Sequence, residues 1–418
     1  MVEANVTLTQ RKYNDSVDYI FVFTIFVFLT GAGLFGFFST LMFLIVGGLY
    51  VVLKFKYALA SYKNNGFIFL FGVIGLLSFF WAESPLAALR SGIQYLLTVS
   101  IFLVVIYCIK IDILFKAISA AMLAVMIFNI FSSQTVEIAF TGEVVKVGYF
   151  GSKNNMALVA GFAALSGLGV FLCKSSMMAR MLAAGCVFLS LITFFQARSL
   201  GSSISLVLVI TLSSMLFMYS RASLLYALKR NFNIVITCAF IFIVFLIVLL
   251  FDYSVYESFM YSLGKDPTIT GRTNIWAIGF ESIVEHPFFG VGQSSYWNLN
   301  NVGALEIWEM THREEGSPFG FHNQYIHTYV ELGVFGFLAV SLTFIRLFFA
   351  INALVLKEMR AIDIVIVSIF LVIFLKSFFE TVGFAPFSLS TFFLCLSWVH
   401  IRRLSFCDKP ACIKLRLS

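Results

Sequence analysis

The sequence predicts an all-α polytopic membrane protein, about twelve transmembrane helices with one large loop on a single face. Three observations carry that prediction. Hydrophobic residues make up 60% of the chain and charged residues only 12%, with 51 Phe among 418 residues. No soluble domain of this length has interior enough to hide so much apolar surface. Apolar runs of roughly 18 or more residues recur, the length that crosses a hydrocarbon core about 30 Å thick. Finally, the charges fall mainly in short segments between those runs.

After a polar start (Arg11, Lys12, Asp15, Asp18), spans are expected near 19–34, 37–53, 66–81, 93–109, 117–134, 155–173, 181–196, 202–219, 232–251, 326–350, 361–379 and 385–401. The first two meet at a Gly-rich corner and could equally form one bent element. With the N-terminus cytoplasmic, 19 of the 28 Lys and Arg residues fall on the cytoplasmic side and 7 outside, with Arg346 and Lys376 inside spans. Positive charge retained inside favours this topology. The chain thus divides into an N-terminal bundle over 1–251, an outer loop over 252–325, and C-terminal spans with a cytoplasmic tail over 326–418. A net charge of +7 would otherwise suggest nucleic acid, but its placement between spans argues against that partner. The seven cysteines are scattered without zinc or disulfide spacing and read as small buried hydrophobes. No short apolar core with a cleavage site opens the chain, so the first span is expected to be retained.

The stretch Phe321–Gly336, FHNQYIHTYVELGVFG, is expected to organise the chain. It sets His322 and Asn323 where a long polar segment enters an apolar span. Histidine at such a boundary is suited to accept a proton, because its ordinary pKa is near neutral. Standing alone, it would more readily cap or anchor a helix. After nine residues beyond Asn323 come Gly333 and Gly336, three apart, which would put both on one helix face. Glu331, an acid inside that span, is a functional candidate or a hydrogen-bond partner of another helix.

The same outer face collects cations. Arg198 sits in the short turn Ala197–Gly201 between apolar spans, a costly place for a guanidinium unless it meets an anion. Arg272 follows Gly271 at the start of a helix expected over Gly271–His286, with Ile275, Ile278 and Ile283 forming a partial apolar face and Pro287 ending it. Gly279 inside that helix weakens it. Guanidiniums match phosphate oxygens two bonds at a time, so Arg198 and Arg272 suggest a diphosphate site. Snorkelling to headgroups, or pairing with a loop acid, would explain each arginine equally well. Lys153 in Gly151-Ser152-Lys153-Asn154-Asn155 could contact headgroup or sugar, or this segment could simply cap a helix. Arg90, with Trp81 and Glu83, forms a further polar corner, while Lys376 and Glu380, four apart, are expected to pair with each other.

His312, Glu314, Glu315, His322 and His327 do not take the H-E-x-x-H spacing of a metalloenzyme, so neither metal nor cofactor is expected. Gly31–Gly36 fits G-x-G-x-x-G but has no strand before it. Two glycosylation-like tripeptides, at Asn5 and Asn14, fall on the expected cytoplasmic side.

Together these residues resemble the bacterial O-antigen ligase and polymerase superfamily. His322-Asn323, nine residues, then Gly333-x-x-Gly336 matches its H-N-x9-G-x-x-G pattern. Arg198 falls where that family has an arginine after its seventh span, although Ser202 stands at the leucine position of the ligase form R-x-x-x-L. Thr270–Trp276 and Phe150–Asn155 look more like the exopolysaccharide polymerases related to the succinoglycan polymerase. The resemblance implies a glycosyltransferase-C-like bundle in the bacterial inner membrane. It also implies metal-independent, inverting glycosyl transfer at the periplasmic face from a glycan on undecaprenyl diphosphate to a glycan acceptor. His322 would be the base and Arg198 and Arg272 the diphosphate clamp. Lys153, Asn323, Trp276 and Arg90 would help to hold substrate, and loop Trp and Tyr rings would stack on sugars. Membrane lipids, and other polysaccharide-assembly proteins, would be the remaining partners. Ligation of a finished glycan is the nearest alternative. A transporter or flippase is the alternative of another class; it would place its polar residues near the bilayer midplane.

Overall fold

A computed structural model describes residues 15–137, 144–221, 271–317, 319–357 and 359–406. The expected span at 232–251, loop residues 252–270, and Asn5 and Asn14 lie outside the described residues. Those described are largely helical, and six helices are long and apolar enough to cross a membrane: Phe55–Phe80, Pro85–Cys108, Ile111–Ile130, Lys153–Leu172, Met177–Gln196 and Gln324–Val355. Phe37–Leu53 and Gly201–Ser214 are shorter apolar helices. This is a multi-pass membrane protein.

The chain opens with α1 (Asp15–Thr30), a short turn of helix α2 (Ala32–Phe35) and α3 (Phe37–Leu53). Gly36 takes φ 54° between α2 and α3, a backbone that a side chain disfavours. The two long helices then run back to back. Ser39 donates to the Phe28 carbonyl near the corner, and Tyr50 donates to Asp18 at 3.3 Å near the far end. The Gly-rich corner therefore makes a hairpin of two elements and not one bent helix. Next in the chain are α4 (Phe55–Asn65) and α5 (Leu70–Leu77), joined by a 3-10 turn, and then α6 (Pro85–Cys108) and α7 (Ile111–Ile130). A two-stranded antiparallel pair, β1 (Thr135–Glu137) with β2 (Val144–Lys146), precedes α8 (Lys153–Leu172), α9 (Met177–Gln196) and α10 (Leu200–Arg221). Beyond the undescribed segment come α11 (Arg272–Glu285), α12 (Val302–Met310), α13 (Gln324–Val355), α14 (Ala361–Lys376) and α15 (Leu389–Phe406).

Phenylalanines fill much of the space between helices, often edge to face, as for Phe26 against Phe392 at 4.6 Å between centroids. A second, separate core lies under α11 and α12, where Ile275, Ile278, Tyr296, Ile307, Trp308 and Phe321 pack together. The segment 271–323 is thus a small folded cap with its own apolar interior. Helix α11 lies close to the range expected for it. Gly279 is required there, because a Cβ would stand 2.8 Å from Cε1 of Phe321. The residue that weakened the helix locally is what lets it approach the cap core.

Gly333 breaks α13, with φ 60° and ψ −157°. Gly333 and Gly336 therefore do not share one helix face, contrary to their spacing. The break is filled by the cap. Val291 and Gly292 donate their N–H groups to the carbonyls of Val330 and Glu331 at 3.0 and 2.8 Å, and Val334 donates to Pro287 at 3.1 Å. Backbone groups freed inside an apolar region need such partners. A Cβ at Gly333 would collide with the Phe288 carbonyl, so glycine is needed for both conformation and space. The loop 289–298 also ties down the α5–α6 corner. Trp81 donates its indole N–H to Phe289 at 2.9 Å, and Glu83 its backbone N–H to Val291 at 3.0 Å.

Candidate active site

Two segments distant in sequence meet where α13 begins. Asn323 caps that helix, its Oδ1 accepting from the N–H groups of Tyr325 and Ile326 at 2.9 and 3.1 Å. Its Nδ2 donates to the Phe378 carbonyl at 3.1 Å, and Gln324 donates its N–H to Ser377 at 2.8 Å. These bonds dock the start of α13 against the turn that ends α14, which carries Glu380.

Glu380 is the hub of this junction. Its Oε2 lies 3.0 Å from His322 Nδ1, and its Oε1 accepts from Arg272 at 2.7 Å and from Asn154 Nδ2 at 2.5 Å. Asn154 Oδ1 in turn accepts from Ser199, which is 2.8 Å from Ser202; the ammonium of Lys376 donates to Ser202 at 2.5 Å. Five regions of the chain are joined by this one network. The expected Lys376–Glu380 pair does not form by direct contact: the carboxylate faces Arg272 and His322 instead, and the ammonium reaches across to α10. Burial alone would raise the Glu380 carboxyl, but the His322 ring that bonds it, with Arg272 and Lys376 nearby, outweighs burial and holds it down to about 2. Glu380 stays ionised at neutral pH.

A neutral His322 ring that donates Nδ1–H to that carboxylate carries its lone pair on Nε2. Its side chain is 31% exposed, so the ring is partly open. His322 has φ 50° and Arg198 φ 45°, two of the five non-glycine residues with positive φ among those described. Such backbone is sparsely populated and tends to persist where the surroundings enforce it. Arg198 is exposed and adjoins Ser199, placing it beside the same network. Among the described residues no carboxylate pairs with it. The cluster combines Arg272 and Lys376 with one anion, leaving an excess of positive charge, and Arg198 adjoins it through Ser199.

The other expected contacts distribute unevenly. Lys153 begins α8, next to Asn154, with Ser152 accepting from the Asn155 N–H at 3.1 Å as the cap. Trp276 sits one turn after Arg272 and donates its indole N–H to Phe321 at 2.7 Å, bracing the residue before His322. Arg90 is exposed on α6, and no contact joins it to the Glu380 network among the described residues. Trp308 is fully buried, its indole N–H donated to Ser317 at 3.1 Å, so it builds the cap core and cannot stack on a sugar. His322 and His327 face different carboxylates, Glu380 and Glu331. Sequence reasoning named Glu380 only as a partner for Lys376 and missed its place beside His322; the visible signal was its position just past a span, on the same expected face as His322.

The family described as O-antigen ligase matches residues 161–341, which include Arg198, Arg272, His322, Asn323, Gly333 and Gly336. The exopolysaccharide production protein ExoQ of Rhizobium meliloti (strain 1021) is 28% identical over 359 residues, covering 82% of this chain and 78% of the relative. Both matches support the O-antigen ligase and polymerase superfamily for this chain. Its likeness to ExoQ aligns it with the exopolysaccharide branch. The H-N-x9-G-x-x-G pattern divides its labour: a partly exposed imidazole, a helix cap, and a glycine where the cap enters a broken helix.

Proposed function

We propose that this protein polymerises oligosaccharide repeat units carried on undecaprenyl diphosphate, working at the periplasmic face of a bacterial inner membrane. In this reading twelve spans hold the site, the region 252–325 forms a periplasmic cap, and 1–251 and 326–418 form the bundle on either side in sequence. Arg198 and Arg272 hold the diphosphate. His322 Nε2 takes the proton of the acceptor hydroxyl as its oxygen attacks the anomeric carbon; the bond to the diphosphate breaks with inversion. The leaving group departs as an anion already neutralised by guanidiniums, so no metal or nucleotide enters the step. Glu380 is a positioning residue. It selects the His322 tautomer, stabilises the imidazolium that forms, and is itself fixed by Arg272 and Asn154.

The observation that carries the reading is one carboxylate bridging His322 and Arg272, which joins a base to an anion-binding group. The gathering of these polar groups at one end of the bundle favours an enzyme over a transporter with a midplane site. The family matched by residues 161–341 is described as a ligase, so ligation of a finished glycan is the second reading. Deleting the gene and analysing lipid-linked glycans separates them. Single repeats stranded on the carrier are expected for a polymerase; long chains stranded there would assign ligation, and an unchanged glycan profile would reject both.

A further inference from the structure

Arg346 is used by neither the His322 network nor the expected topology. It lies within an apolar span, where an uncompensated guanidinium is costly. Its Cζ is 3.9 Å from the centroid of the Phe67 ring. Phe67 stacks on Trp398, with centroids 5.3 Å and planes 12° apart, and Cζ of Arg402 is 4.4 Å from the Trp398 ring. Two guanidiniums from α13 and α15 are therefore each braced on one ring of a stacked aromatic pair. Among the described residues neither has a carboxylate partner. Asp363, an acid at the same end of α14, is already taken by Arg360 and His400 at 3.1 and 2.9 Å.

This arrangement is remote from the candidate active site, since α13 starts beside His322 and reaches Arg346 roughly six turns later. Along α13 the side chains of Phe335, Leu338, Leu342, Ile345 and Phe349 are exposed, an apolar stripe that passes beside Arg346 and is uncovered among the described residues. Hydrocarbon chains along that stripe and a phosphate on the guanidiniums describe a single molecule. We propose that Arg346 and Arg402, braced on Phe67 and Trp398, form a binding site for the phosphate headgroup of an anionic phospholipid. The distribution of Lys and Arg puts this end in the cytoplasmic leaflet, where such lipids meet basic pockets between helices. The guanidinium forks suit phosphate oxygens, and the stacked rings restrict the rotamers that binding would otherwise have to order.

The test uses the full chain in mild detergent, as wild type and as Arg346→Gln/Arg402→Gln. Native mass spectrometry reads co-purifying phosphatidylglycerol and cardiolipin, and thermal unfolding is followed with added phosphatidylglycerol or inorganic phosphate. Wild type is expected to retain anionic lipid through delipidation, with retention falling roughly fivefold for each guanidinium removed. Its unfolding midpoint is expected to rise with phosphatidylglycerol and not with inorganic phosphate. Equal lipid retention by wild type and the Gln variant would overturn the site; an equal response to inorganic phosphate would overturn the lipid assignment. Arg346→Lys/Arg402→Lys keeps both charges and serves where the Gln pair fails to fold. It is expected to lose part of the retained lipid, and wild-type retention would reject the stacked geometry.

Discussion

Two histidine–glutamate pairs begin five residues apart and do opposite things. His322 meets Glu380 at 3.0 Å across 58 residues of sequence, whereas His327 lies 3.7 Å from Glu331 one turn along the same helix. The first histidine is 31% exposed at a helix entrance. The second is 21% exposed, and its Nδ1 is buried without a partner among the described residues. Glu380 also holds Arg272 and Asn154, which face the same pocket of charge. Glu331 instead sits in the break of α13, where its own backbone carbonyl accepts the N–H of Gly292 at 2.8 Å and so fastens the cap. Identical residue types therefore divide into a site and a fastening. What separates them is whether the carboxylate binds groups that can also meet a ligand.

His322→Ala should break the comparison most strongly, lowering polymer formation by about a hundredfold or more, the usual scale for removing a base. His327→Ala should leave the rate near wild type and lower the unfolding midpoint instead. Equal losses of activity from the two would remove the distinction. Arg272→Ala and Arg198→Ala are next, each expected to cost about a hundredfold or more in turnover with inserted, folded protein. Normal turnover would remove their diphosphate role.

Glu380→Gln should cost less than His322→Ala, at least about tenfold, because the amide orients the ring poorly and does not stabilise an imidazolium. Its pH behaviour sharpens the point. The folded carboxyl sits at about 2 against an ordinary 4.5. Its pairs therefore stabilise the fold fully above about pH 4.5 and lose that contribution as pH falls toward about 2. Wild type should lose midpoint across that window more steeply than Glu380→Gln, and parallel curves would count against the pairing. Gly333→Ala, strained at φ 60° and blocked by Phe288, should destabilise by about 1–3 kcal/mol, read from chemical unfolding. The smallest effect is expected from chelator, which should leave polymer formation unchanged; loss restored by a divalent ion would bring metal into the reaction.

Much of the site was legible because its signals are local. A His-Asn pair at the entrance of an apolar run, and the glycine before Arg272, are readable from a few neighbours. Trp308 was not: its indole resembles a sugar platform until the cap folds around it. Nor was the break in α13, since a glycine three residues before another fits a continuous helix until residues 287–292 arrive to bond its freed backbone.

By itself, then, the sequence determined a membrane-spanning helical chain, the cations and histidine of one face, and the asparagine that starts α13. These arise from hydrocarbon thickness, charge placement and capping, all of which act over a turn or a span. Only the tertiary structure decided that Glu380 belongs to His322, Arg272 and Asn154, the last of them 226 residues away. The nearer choice, Lys376, loses because a buried carboxylate is stabilised most by donors that point at its oxygens, and only the folded bundle brings those donors together.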